Sequence, residues 1–142
     1  MRMDRRRFLK GSIATASALT LAPTRARAQG KPIRIGYTLS ATGPYSVGAG
    51  ITQAPNYALW ADQVNAKGGL MVKGEGRRLV EYVTTDDRSE IETAVRFYEK
   101  LMTEDKVDLI LPPWGTAMNF AVAPVANKNG YPMSAPRSAR TS

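Results

Sequence analysis

The chain has 142 residues, no cysteine, no histidine and a formal charge of +8. Lacking cysteine it can have no disulfide, thiol nucleophile or thiolate metal site, and lacking histidine it has lost the commonest general base and metal ligand. The charge invites a nucleic-acid reading, yet seven of the 20 basic residues and one of the 12 acids lie in residues 1–28, so most of it belongs to that segment.

What remains is close to neutral and carries no basic stripe interleaved with aromatics, so nucleic acid is not expected as a partner. The composition suits a binding protein better than an enzyme. No catalytic residue, metal site or cofactor is expected from it, although carboxylate chemistry stays open.

Residues 1–28 have the three regions of a secretory signal in order. Asp4-Arg5-Arg6-Arg7-Phe8-Leu9-Lys10 is basic, residues 11–22 are apolar, and Ala26-Arg27-Ala28 is a small-x-small cleavage pattern before Gln29. The apolar run is shorter than the roughly 20 residues that a permanent membrane helix needs. Arg5-Arg6 followed by Phe8-Leu9-Lys10 resembles the twin-arginine export signal, with Asp4 where that pattern has Ser or Thr. A mature chain beginning at Gln29 and a periplasmic location are expected, with general secretion as the other route.

From Lys31 onward, hydrophobic periodicity alternates between two and 3.6. Ile33, Ile35, Tyr37 and Leu39 alternate with smaller or polar residues, as in a strand, which a turn at Ser40-Ala41-Thr42-Gly43-Pro44 ends. A helix is predicted over 53–67, with Ala54, Ala58, Ala61 and Val64 on one face. Pro55 is tolerated in its first turn, and Gly68-Gly69 supplies a left-handed stop. Residues 78–84 read as a second strand. Ser89-x-x-Glu92 has capping-box spacing and opens a helix through Ile91, Ala94, Val95, Tyr98, Leu101 and Met102. Residues 107–111 are a short aliphatic strand and 116–129 a helix broken or kinked at Pro124. Residues 131–135 would form a fourth strand. The order βαβαβαβ predicts an α/β fold, a doubly wound parallel sheet with right-handed crossovers. Ligands of such sheets sit outside the strands' carboxyl ends, here residues 40–50, 84–88, 112–116 and 135–138.

With these elements in place, the sequence resembles the leucine/isoleucine/valine-type substrate-binding proteins of ABC transporters. The likeness rests on Ile33-Arg34-Ile35-Gly36 leading into Thr42-Gly43-Pro44, on Val64-Asn65-Ala66-Lys67-Gly68-Gly69, and on Asp86-Asp87 and Gly115-Thr116 after the second and third strands. Ala123-Pro124-Val125-Ala126 and Gly130-Tyr131-Pro132-Met133 complete it. It covers nearly all of residues 31–136. The resemblance implies a type I periplasmic-binding fold with two lobes joined by a hinge, a ligand clamped between them, and a permease in the inner membrane that reads the closure. Residues 29–142 would then be an incomplete first lobe. The tail, with Arg137 and Arg140 where the family has small and hydroxylated residues, suggests a fragment or a reading-frame change.

Six residues are candidates for the ligand site. Thr116 corresponds to the hydroxyl that in the family receives the ligand's carboxylate, and it also stands where a helix begins, so it could serve as an N-cap, a binding group or both. Gly115 allows close backbone approach, and Trp114 could wall the ligand or plug the lobe interior. Tyr45 and Ser46 lie in the loop after the first strand, and Ser138 lies near the family's next contact segment. The paired acids Asp86 and Asp87 resemble the magnesium site of phospho-receiver domains, but a loop-shaping role accords better with an exported chain. The ligand expected is an amino acid or related small carboxylate or amide. A sensor domain of the same fold and an exported α/β enzyme are the alternatives, the enzyme disfavoured because Gly43-Pro44 is not a phosphate-binding glycine loop.

Overall fold

The computed structural model describes residues 30–133. The leader 1–28, the end of the expected fourth strand and Ser138 lie outside that range. The elements run β1 (Ile33–Leu39), α1 (Ser46–Thr52), α2 (Ala54–Ala66), β2 (Leu70–Val72), β3 (Gly76–Arg78), β4 (Val80–Asp86), α3 (Ile91–Thr103), β5 (Leu109–Ile110) and α4 (Thr116–Lys128). β1 lies between β4 and β5 and pairs with both in parallel, Ile33 opposite Val80 through Leu39 opposite Asp86 on one side, and Ile35 opposite Leu109 on the other.

Side chains alternate across a strand, so β1 feeds two cores. Ile33 and Ile35 pack with Val80, Ala61 and Val64 beneath α2. On the opposite face Tyr98, Leu101 and Met102 of α3 pack with Val107, Ile110 and with Met118, Val122 and Ala126 of α4. Gly36 makes the second core possible. A Cβ there would lie 3.1 Å from both Leu101 Cδ1 and Val107 Cγ2, so the missing side chain lets α3 settle against the strand.

Several expectations change. Residues 70–78 form an antiparallel hairpin, β2–β3, and the second parallel strand starts only at Val80. Gly69 permits the close return: its φ is +93°, and a Cβ would collide with the Arg78 carbonyl. A short helix, α1, occupies residues read as loop. On α2, Pro55 does sit in the first turn, but Ala58 is exposed, and the inward face is Gln53, Tyr57, Ala61 and Val64. The bulky tyrosine there joins Tyr37 and Tyr82 in an edge-on cluster, with centroids 5.0 and 5.2 Å from Tyr37.

The capping box does not form. Ser89 has φ +62° and lies outside α3, whose N-cap is Glu90. Its hydroxyl instead donates to the Thr42 carbonyl at 2.7 Å and accepts from the Tyr45 N–H at 3.0 Å, joining two loops rather than capping a helix. α4 runs unbroken through Pro124. Tyr131, Pro132 and Met133 belong to no strand; Tyr131 turns back to bond the Ala126 carbonyl through its N–H and the Val107 carbonyl through its hydroxyl.

Leu101 is fully packed and 2 % exposed, whereas Phe120 is 73 % exposed. Leu101→Ala is expected to cost about 2–5 kcal/mol in urea denaturation, and Phe120→Ala no more than about 0.5 kcal/mol. Equal effects would contradict the assignment of the core.

Candidate ligand site

The chain leaves β1 towards α2 on one face and β5 towards α4 on the other, so the carboxyl ends of these neighbouring strands diverge and leave a crevice. The Tyr98 hydroxyl braces its floor. It donates to the Leu111 carbonyl beyond β5 and lies 3.5 Å from the Thr38 N–H of β1. Burial pushes the Tyr98 phenol far up, so it stays a donor.

One wall is the turn from Pro112 to Gly115. Gly115 has φ +92°, a conformation that a side chain would strain, and it is the N-cap residue of α4. Thr116 is therefore the first helical residue, is exposed, and makes no cap hydrogen bond. The first intrahelical bond runs from the Asn119 N–H to the Gly115 carbonyl. The N–H groups of Thr116, Ala117 and Met118 have no partner among the described residues. No acidic side chain stands in this first turn. Unpaired amides and the positive end of the helix dipole favour an anion. Asn119 fixes the turn from below, its side-chain N–H₂ donating to the Pro113 and Gly115 carbonyls at 2.9 and 2.7 Å.

Trp114 belongs to this turn but reaches across the crevice. Its ring lies 5.3 Å from that of Tyr45, and its Nε1–H donates to the Thr52 hydroxyl at 2.9 Å. It rests on Gly48, where a Cβ would overlap the indole. Trp114 thus neither stands free nor plugs the interior; it closes the crevice against α1 and is itself half-buried. Ser46 is the half-exposed first residue of α1, its N–H held by the Gly43 carbonyl at 3.1 Å. The structure therefore gathers Tyr45, Trp114, Gly115 and Thr116 at one crevice, with Ser46 on the adjoining helix.

Residues that the sequence reading missed lie beside them. A depression of about 200 Å³ is lined by Thr52, Gln53, Tyr57, Pro113, Trp114 and Gly115. Gln53 is 5 % exposed and directs its side-chain N–H₂ at the Pro112 and Thr38 carbonyls, at 3.1 and 3.4 Å. Tyr57 donates to the same Pro112 carbonyl at 3.4 Å. Burial raises the Tyr57 phenol, so this group too stays protonated at neutral pH. In the sequence Gln53 shows only as a polar residue at the start of a predicted helix, and its burial comes from the fold.

Asp86 and Asp87 organise the loops behind the crevice. Asp87 is fully buried and accepts from the hydroxyls of Thr38 and Ser40, at 2.7 and 2.6 Å, and from the Ser89 N–H at 2.9 Å. Asp86 accepts from the N–H groups of Ala41, Thr42 and Arg88 and from the Thr42 hydroxyl. Both carboxylates are occupied in shaping the loop, as the sequence suggested. Among the described residues no group of three acids, histidines or cysteines could hold a metal ion.

The described residues also include no helix long and apolar enough to cross a membrane. Residues 32–142 match the family model described as "Periplasmic binding protein". Similar solved structures include the branched-chain amino acid transporter substrate-binding protein LivJ from Streptococcus pneumoniae in complex with isoleucine. It is 27% identical with a TM-score of 0.63, over 72% of this chain and 28% of that one. The leucine-binding protein LivK from Thermotoga maritima is 28% identical with a TM-score of 0.53, over 71% and 26%. A putative branched-chain amino acid ABC transporter from Rhodospirillum rubrum, at 24% identity and a TM-score of 0.62 over 72% and 28%, shares the fold. The match spans little more than a quarter of the length of these relatives.

Burial pushes the Asp86 carboxyl up, but the Thr42 hydroxyl and the Arg88, Thr42 and Ala41 amides outweigh it and hold its pKa below the usual carboxylate value. A lowered folded pKa gives stability that is present above the unfolded value, about 3.9, and is lost as pH falls through the folded one. Stability should therefore fall below about pH 4, and Asp86→Asn should make that decline shallower in denaturation series across pH. An identical acid limb in the variant would show that these bonds do not couple to folding. With the parallel sheet, the crevice at its switch point and the match over residues 32–142, the chain belongs to the periplasmic binding protein family.

Proposed function

We propose that this chain supplies the opening part of the first of two lobes in an extracytoplasmic solute-binding component of an ABC uptake transporter. The ligand is an amino acid or a related small carboxylate, held between the lobes without chemical change. A permease in the inner membrane is the partner that reads closure. Residues 1–28 act as the export signal, twin-arginine in type and cleaved after Ala28, which places the mature protein in the periplasm.

Family membership supports the solute-binding role, and the isoleucine in the Streptococcus pneumoniae relative supports an amino acid as ligand. The observation that carries the proposal is the start of α4. Three amides without partners among the described residues and the Thr116 hydroxyl stand at the mouth of a parallel sheet, beside an aromatic wall of Tyr45 and Trp114. A carboxylate seated there accepts charge-assisted hydrogen bonds from fixed donors, and Gly115 lets it approach the backbone. Because Gly115 and not Thr116 occupies the N-cap position, the threonine hydroxyl is free to serve a ligand.

In the two-lobed protein, Thr116→Ala should weaken binding of the carboxylate ligand by about 1–3 kcal/mol, the scale for one hydrogen bond to a charged group. Isothermal calorimetry measures this directly. Unaltered affinity would remove the Thr116 hydroxyl from the site.

A further inference from the structure

α1 has little of its own to hold it. It is seven residues long with two glycines, buries only Ala49, and has no side-chain cap, no acidic residue in its first turn and no basic one in its last. A helix this short is marginal in water without tertiary contacts. Its two glycines differ in what surrounds them. Neither takes a positive φ, so the backbone requires neither. A Cβ at Gly50 would meet nothing within 4 Å, whereas one at Gly48 would overlap Cζ2 of the Trp114 indole and lie 2.7 Å from Cη2. Thr52 stands one turn on, on the same face as Gly48. Its hydroxyl donates its one proton to the Gly48 carbonyl at 2.8 Å, which leaves a lone pair for the indole N–H, a group that can only donate. The contact with Gly48 fixes the plane of the ring, and the bond to Thr52 fixes its rotation within that plane.

We propose that Gly48 and Thr52 are positioning residues of the ligand site: together they seat Trp114 in one orientation, and through it they set the width of the depression beside the α4 amides. This rests on the reading of the α4 start and the adjoining depression as the place of the solute. Trp114 and Thr52 both line that depression, and Trp114 directly precedes Gly115, the N-cap of α4. An indole driven off Gly48 therefore moves a wall of the site and leaves Tyr45 without its neighbour. A wall already ordered before the solute arrives spares binding the entropy of ordering it.

The test combines indole N–H resonances with calorimetry in the two-lobed protein. The Trp114 resonance is the one that vanishes in Trp114→Phe. Each proteinogenic amino acid is titrated, and the tightest binder serves as the probe for the variants. Gly48→Ala and Gly50→Ala raise helix propensity alike, so they separate the seat from the helix. Gly48→Ala should shift the Trp114 resonance in the unliganded protein and weaken the probe about tenfold or more, the scale for losing a pre-organised wall. Gly50→Ala should do neither. Thr52→Val, which keeps the shape and removes the hydroxyl, should also shift the resonance and weaken the probe, and Thr52→Ser should restore both. Weaker binding in Thr52→Val with the resonance unmoved would mean that the hydroxyl touches the solute directly, and it overturns the proposal. Equal losses in the two glycine variants overturn it too, as does wild-type affinity in Gly48→Ala. The Thr52 pair decides if Gly48→Ala does not fold. In all these cases the reading of the site survives. If no amino acid binds the wild-type protein, the amino-acid reading falls together with this inference.

Discussion

β1 and β5 are hydrogen-bonded neighbours, yet the chain departs from them towards opposite faces of the sheet. Two parallel strands that part in this way cannot cover the space beyond their carboxyl ends, and whatever reaches that space does so from the loops that leave them. Here those loops bring Tyr45 from one side and Trp114, Gly115 and Thr116 from the other. The geometry is held by groups that do not themselves face a solute. Tyr98 spans the ends of both strands, and Asp87 is anchored by Thr38, Ser40 and Ser89. The crevice is a consequence of topology, and its rigidity a consequence of buried hydrogen bonds.

The two halves of the crevice differ in character. The α4 start presents donors and the positive end of a helix, whereas the adjoining depression is lined by uncharged side chains whose donors are held within the protein. Trp114 separates and orients the two halves, since its indole N–H is committed to Thr52 and its face to Tyr45. The absence of a side chain on Gly48 allows that placement.

Much of the fold was legible because burial and periodicity agree. The amphipathic α3, the alternation in β1 and the start of α4 at Thr116 follow from patterns that tertiary structure does not override. What was missed depends on contacts distant in sequence. α1 is seven residues with two glycines, and it stands because Ala49 is buried and Gly48 accepts Trp114 from 66 residues away. Ser89 has the spacing of a capping box, but its hydroxyl is drawn to Thr42 in another loop, and the strained φ of Arg88 and Ser89 accompanies that crossing. The β2–β3 hairpin was signalled by the glycines at 74 and 76, both at positive φ, around three-residue strands too short for alternation to reveal. At the site, Thr116 could be placed from sequence, but its status as N1 rather than N-cap could not, because that turns on the backbone angle of Gly115. Gln53 was visible only as a polar residue on a helix; its burial needs the neighbouring turn.

The central claim is that the α4 start receives a carboxylate. A crystal structure of the two-lobed protein with its solute bound tests this most directly. The account predicts a carboxylate oxygen within about 3 Å of the amides between Thr116 and Met118, beside the Thr116 hydroxyl. A solute lodged elsewhere, with those amides facing only water, would contradict it.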